Sequence, residues 1–265
     1  MSLIKNKINY ILGKNYDFQI GFIICGTQKG GTTALDYYLR LHPEICMADK
    51  KEVHFFDTDK YFIKENPDFL KYHFHFNPKD HHKIIGEATP IYMYWKNAIK
   101  RIHDYNPNMK LIAVLRNPVE RAFSHWNMER DKNREHRTFL DAIKDEKSKL
   151  LSSDNKQDRT FSYLERGFYS KQIKAIKSYF NNDQILFLQN ELLRQNPNQV
   201  LSKVSDFLAI SSFQAVEHME IHTRSYPSEL SKKENDFLRK FYSIEIESLE
   251  SLLNWDLSDW KVLNE

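Results

Sequence analysis

Cysteine is nearly absent from this chain, with only Cys25 and Cys46 among 265 residues. Two thiols at that separation have neither metal-ligand spacing nor the count of a secreted disulfide framework. Both are expected to be buried as small apolar residues. Glycine and proline are also sparse, at 7 and 8 residues, and no stretch gathers them into an interdomain linker. No segment repeats. A single domain over 1–265 is therefore expected. No apolar run approaches the roughly 20 residues that cross a bilayer. Met1 to Phe18 mixes polar and apolar residues, without the apolar run and small-residue cleavage site of a signal peptide. The expectation is a cytoplasmic protein with no membrane span, or a trimmed form of a longer one. A strong excess of one charge is missing too. Lys and Arg number 39 against 36 Asp and Glu, for a net charge of +3. That balance does not argue for a nucleic-acid partner, although a local positive cleft would suit a small anion.

What the chain does contain is a hydrophobic fraction of 41% with 28% charged residues, enough to bury one sizeable core. Apolar runs alternate with helical patterns. Strands are expected near 20–25, 83–87, 110–115 and 184–189. Helices are expected near 32–41, 96–105, 118–130, 138–150, 169–180, 198–209 and 229–253. Such alternation predicts an α/β fold, with a central parallel sheet flanked by helices. The charged run Lys144 to Arg159 loses its apolar period past Leu151 and is expected to be a solvated loop.

Gly26-Thr-Gln-Lys-Gly-Gly-Thr-Thr33 directly follows the apolar run Ile20–Cys25. A strand passes through a glycine turn into a helix near Thr32. Free N–H groups at that helix start make an anion site. Lys29 adds a positive charge, Gly30 and Gly31 let the backbone approach closely, and Thr32 and Thr33 add hydroxyl donors. This is P-loop-like, but the lysine precedes the glycines, unlike GxxxxGK(S/T). An ordinary ATPase loop is disfavoured on that ground.

A second strand, Lys110–Leu115, ends at Arg116. Asn117-Pro118 then opens a helix whose Val119, Ala122, Phe123 and Trp126 share an apolar face. Arg116 at a strand's carboxyl end and Ser124 two turns on could hold a second phosphate beside the first.

Together these two segments resemble the sulfotransferases that use 3′-phosphoadenosine 5′-phosphosulfate (PAPS). The resemblance implies that Lys29, Gly30, Gly31, Thr32 and Thr33 bind the 5′-phosphosulfate, and that Arg116 and Ser124 bind the 3′-phosphate. Lys51-Glu-Val-His-Phe-Phe-Asp57 is similar to a segment of the heparan sulfate 3-O- and N-sulfotransferases. There the glutamate is the catalytic base, which implies that role for Glu52 and places His54 and Asp57 near the acceptor. Gly86-Glu-Ala-Thr-Pro90 and Arg166-Gly-Phe-Tyr169 resemble further family segments. Thr223 and Arg224, before Ser225-Tyr-Pro227, resemble a late loop closing on the nucleotide. The likeness runs from about residue 20 to 260.

It implies sulfuryl transfer to a hydroxyl or amine of a saccharide or small-molecule acceptor. Adenosine 3′,5′-bisphosphate (PAP) would leave, with Lys29, Glu52 and His54 in catalytic roles and no metal required. Three departures bear on the acceptor. Thr33 stands where the heparan 3-O-enzymes carry arginine, Ala88 where they carry lysine, and their disulfide near the late loop has no counterpart. A P-loop kinase, or a nucleotide-binding protein without catalysis, stays open as an alternative.

His73, His75, His81 and His82 cluster in the chain without zinc-like spacing, and Phe74 and Phe76 alternate as if on a packed edge. Tyr92, Tyr94 and Trp95 either stack on a sugar ring or pack the core. Phe237, Tyr242, Ile244, Leu249 and Leu252 suggest the docked face of a long helix.

Overall fold

A computed structural model describes residues 16–64, 66–152, 157–216 and 229–261. In chain order the elements are β1 (Phe22–Gly26), α1 (Thr32–Arg40), β2 (Ile45–Met47), α2 (Leu70–His73), β3 (Ile84–Ala88), α3 (Ala98–Tyr105) and β4 (Lys110–Leu115). There follow α4 (Pro118–Asp131), α5 (Phe139–Leu150), α6 (Tyr169–Lys177), β5 (Ile185–Gln189), α7 (Asn190–Gln195), α8 (Pro197–Leu208), α9 (Lys232–Leu253) and α10 (Ser258–Lys261). The described residues fall into two compact units. One runs up to Leu115 and resumes at Ile176; the other comprises Arg116–Ala175 and the residues from 229 onward.

The first unit is built on a five-stranded sheet in the order β2-β3-β1-β4-β5. Every pairing is parallel. Parallel strands covered on both faces need continuous apolar sequence, and every residue of β1 is buried. Phe22 and Ile24 of β1 pack with Leu39 of α1, Ile112 and Val114 of β4 and Val204 of α8. Both cysteines are free thiols inside this unit.

Four strands were expected and all four are present; β2 is the addition. It is three residues long, so no alternation could announce it. It pairs with β3 through Ile45↔Ile84 and Met47↔Gly86. Phe74 and Phe76 do not form a strand edge. They follow the single-turn helix α2, where Phe74 N–H donates to the Leu70 carbonyl (2.9 Å) and Phe76 is buried.

The second unit is helical. Asn117 caps α4 by accepting from the Val119 N–H (3.0 Å), with Pro118 at the first turn. The predicted face of Val119, Ala122, Phe123 and Trp126 is buried. Thr138 caps α5, whose Phe139–Leu150 span matches the helix expected near 138–150, so the charged run is helical from Lys144 to Leu150 and the loop expected over Lys144–Arg159 does not begin before Leu151. Glu146 lies on its buried face, where its carboxylate accepts the N–H groups of Leu164 (2.7 Å) and Glu165 (2.9 Å).

Ser231 and Glu234 form a capping box that opens α9. Its buried face is Leu238, Tyr242, Glu245, Ile246 and Leu249, and Ile244 is 77% exposed. Of the expected face, Tyr242 and Leu249 are buried and Phe237 and Leu252 half-buried, whereas Ile244 points outward and Glu245 takes an inward position. Its carboxylate accepts from the N–H and the hydroxyl of Ser170, each at 2.7 Å.

Candidate active site

At the end of β1 the chain is still held to the sheet, because Thr27 N–H donates to the Val114 carbonyl (3.0 Å). Gly30 N–H then closes a turn onto the Thr27 carbonyl (2.9 Å). Lys29 (φ 68°) and Gly31 (φ 100°) are both left-handed. This conformation turns the chain sharply into α1, where the N–H groups of Ala34 and Leu35 share the Gly31 carbonyl (3.1 and 3.2 Å). The first N–H groups of a helix have no intrahelical acceptor, and the first turn of α1 carries no acidic residue to compete for them. The helix dipole favours an anion at the same point. A side chain at Gly30 would meet the Val114 carbonyl, since an added Cβ would lie 2.2 Å from it. This turn and the unpaired N–H groups at the start of α1 make a cradle that can take an anion.

Sequence reasoning missed one support of this loop. Asn190, the first residue of α7, donates through Nδ2 to the Gly30 carbonyl (2.9 Å). Its partner lies 160 positions away, and no local pattern marks such a contact.

The neighbouring strand end carries the second group. β1 pairs with β3 in parallel, Ile24 opposite Ala88, so the Lys29 loop and the segment hung from Ala88 leave the same edge of the sheet. That edge, at the strands' carboxyl ends, is where α/β folds bind ligands. Glu52 N–H donates to the Ala88 carbonyl (3.0 Å). Glu52 (φ 61°) and His54 (φ 58°) are left-handed, a conformation costing about 1–3 kcal/mol for each non-glycine residue and concentrated at functional sites.

The side chains that follow form a charged line. Lys51 Nζ lies 3.2 Å from Glu52 Oε1, and His54 Nε2 lies 3.2 Å from Glu52 Oε2. His54 Nδ1 lies 3.0 Å from Oδ2 of the fully buried Asp57. The hydrogen bond to Asp57, joined by the one to Glu52, outweighs burial and lifts the His54 imidazole to about 9. Burial works against ionisation of Glu52, but the His54 hydrogen bond and the Lys51 charge prevail and hold its carboxyl at about 2. At neutral pH Glu52 is therefore a carboxylate and His54 an imidazolium.

Beneath it, Glu87 of β3 is fully buried and accepts from Tyr72 Oη (3.0 Å), Tyr92 Oη (3.1 Å) and Thr89 Oγ1 (2.5 Å). Burial, reinforced by the charge of Asp57, raises it to about 7 despite those three donors. Tyr92 is fully buried, which puts it in the core and not on an exposed stacking surface.

Arg116 and Ser124 belong to the second unit. Arg116 donates through Nε (3.0 Å) and Nη2 (2.8 Å) to Glu120 Oε2, and its carbonyl accepts from Tyr169 Oη (2.9 Å). Ser124 is buried on α4. Thr223 and Arg224 lie outside the described residues. Among the described residues no group of three His, Cys, Asp or Glu could hold a metal ion. Of the chain's histidine cluster, His73 pairs with Tyr105 Oη (2.8 Å), while His82 accepts the Lys79 N–H (2.9 Å) and packs against the His81 ring (4.3 Å between centroids).

The family model of the sulfotransferase domain matches residues 19–247. The chain belongs to the sulfotransferase family. Members of this family generally take their sulfuryl group from PAPS. A sulfotransferase from Alicyclobacillus acidocaldarius superposes with a TM-score of 0.78 at 26% identity, covering 92% of this chain and all of that one. Heparan sulfate glucosamine 3-O-sulfotransferase 3B1 of Homo sapiens is 31% identical over 77% of this chain and 50% of its own length. Membrane-associated sulfotransferase kil1 of Dictyostelium discoideum is 25% identical over 89% of this chain and 65% of its own. The chain thus spans about half to two thirds of the length of these curated relatives. Among its described residues, no helix is long and apolar enough to cross a membrane.

Proposed function

We propose that this chain transfers a sulfuryl group from PAPS to a hydroxyl or amine of a saccharide or small-molecule acceptor. The observation that carries the proposal is the pairing of two loops on adjacent parallel strands: the cationic cradle after β1 and the Glu52–His54–Asp57 line held at the end of β3. The donor supplies an activated sulfuryl group, with a phosphate oxygen as the leaving atom.

Lys29 and the first-turn N–H groups of α1 would hold the phosphosulfate oxygens and stabilise the charge that grows there. Glu52 would receive the acceptor's proton. At about 2 it is always ionised yet weakly basic. An acceptor that displaces His54 or Lys51 from it would raise its basicity where the proton is taken. Asp57 keeps His54 charged, and His54 aims the Glu52 carboxylate. The roles of Arg116 and Ser124 toward the 3′-phosphate rest on the family resemblance, as does the part of Thr223 and Arg224. The 3-O-sulfotransferase names of several relatives support a saccharide acceptor.

Titration calorimetry with PAP, adenosine 5′-phosphate and magnesium-ATP tests the donor. PAP should bind at least tenfold more tightly than the other two, and Arg116→Ala should erase most of that preference. Equal affinity for all three would refute the donor assignment. Transfer of labelled sulfate from PAPS to saccharide, glycolipid and phenolic pools then tests the acceptor class.

A further inference from the structure

The left-handed residues Glu52 and His54 lie between two attachments to one strand end. The first is direct: Glu52 N–H donates to the carbonyl of Ala88. The second passes through a side chain. Tyr92 Oη donates to Glu87 Oε1 (3.1 Å), which leaves its lone pairs facing the backbone of the catalytic segment. They accept the N–H of Phe55 (2.9 Å) and, more weakly, that of Phe56 (3.4 Å). Glu87 and Ala88 are consecutive residues of β3, so both attachments start from adjacent positions.

Further contacts close the segment from the other side. Thr58 Oγ1 donates to the His54 carbonyl (2.5 Å), and Arg101 Nη1 donates to the Phe56 carbonyl (2.9 Å). Unfavourable backbone conformations persist only where the surroundings over-determine them. Here the residue immediately after left-handed His54 is tied down by the tyrosine hydroxyl.

We propose that Tyr92, its hydroxyl oriented by Glu87, is the positioning residue that keeps His54 aimed at both Glu52 and Asp57. This rests on the sulfotransferase reading for its kinetic consequence only. The hydroxyl cannot act on an acceptor, because Tyr92 is fully buried; it acts through the backbone of Phe55. Glu87 fixes the direction of the hydroxyl hydrogen. With that hydrogen committed to Glu87, Tyr92 can only accept from the segment, as the two N–H groups require. The charged groups around His54 are Lys51, Glu52 and Asp57 on its own segment, together with Glu87 of β3, whose charge acts on Asp57.

Tyr72 provides an internal control. It is equally buried and donates to the same Glu87 oxygen (3.0 Å). Among the described residues its hydroxyl makes no bond to the 52–57 backbone. Tyr72→Phe and Tyr92→Phe each remove one hydroxyl from one carboxylate, and only Tyr92→Phe cuts the tether.

The experiment follows the His54 ring by NMR across pH in the full chain, alongside PAP affinity by calorimetry and kcat at saturating PAPS and acceptor. In the wild type His54 should titrate near 9. In Tyr92→Phe it should fall toward its ordinary 6.5, kcat should drop about tenfold or more, and PAP affinity should stay within about twofold. Tyr72→Phe should leave the His54 titration and kcat within about twofold of wild type. If Tyr92→Phe does not fold, hydrogen exchange in the wild type decides: the Phe55 amide should be strongly protected through its bond to Tyr92 Oη, and a Phe55 amide that exchanges freely would overturn the proposal.

A His54 that still titrates near 9 in Tyr92→Phe, or equal losses in Tyr72→Phe, would overturn the proposal. If the wild type transfers no sulfate, the family activity fails for this chain, and the His54 titration still decides the tether.

Discussion

Gly31→Ala measures how tightly the anion loop is held. Gly31 sits at φ 100°, and an added Cβ would stand 2.4 Å from Asn190 Nδ2. Two costs follow. A side chain in the left-handed region costs about 1–2 kcal/mol. Pushing Asn190 away breaks its bond to the Gly30 carbonyl, worth about 1 kcal/mol. The sum is about 2–3 kcal/mol, less any backbone relaxation. If the loop relaxes by turning Gly31 back toward negative φ, that work returns when the donor binds, and affinity should fall by about 5- to 30-fold. Chemical denaturation reads the first quantity and calorimetry with PAP the second. In an Asn190→Ala background the clash is gone, so Gly31→Ala should then cost only the backbone part, about 1–2 kcal/mol. The difference, about 1 kcal/mol, is the coupling a double-mutant cycle reports. A loss under about 0.5 kcal/mol with unchanged PAP affinity would refute the claim that the left-handed turn shapes the loop.

Glu52→Gln keeps the shape of the side chain and removes the proton acceptor, so PAP affinity should hold while kcat falls about 10²-fold or more; turnover near wild type would exclude Glu52 as the base. Lys29→Ala should lower both PAP affinity and kcat, since its charge acts in the ground state and the transition state alike; loss of one without the other would contradict that assignment. Asp57→Asn removes the main support of the His54 charge. In the wild type the raised imidazole adds stability that is present below pH 6.5 and lost as pH rises through about 9. In Asp57→Asn only the Glu52 contact still supports the imidazolium, so that alkaline loss should shrink and move to lower pH in the pH dependence of urea midpoints, and a wild-type profile would count against the pairing.

Much of the sheet could be read from sequence because buried parallel strands are written as continuous apolar runs. Lys110–Leu115 was delimited to the residue, and the β1 and β3 runs fell within a residue or two. The turn after β1 was legible because its signal is local: three glycines, a lysine and three threonines in eight positions. Glu52, His54 and Asp57 carried no such signal by themselves and were found through family likeness. Neither Asn190 against Gly30 nor Tyr92 against Phe55 could be read, because each joins segments far apart in the chain. On the long helix, Tyr242 and Leu249 were legible as inward positions, but Glu245 was not, since it looks like a solvent position until Ser170 is placed beside it.

The order of the sheet has a consequence for synthesis. Its middle strand, β1, is made first, and its neighbours β3 and β4 end only at Ala88 and Leu115. At about 5–20 residues per second, the wholly apolar β1 waits roughly 5–20 s on the ribosome before both of its partners have been translated. Contacts of such long range also slow folding, because loop closure must come before any pairing. This chain should therefore lean on chaperones that shield nascent apolar segments. A permutant that begins after Met47 and places β1 beside β4 late in translation should need them less.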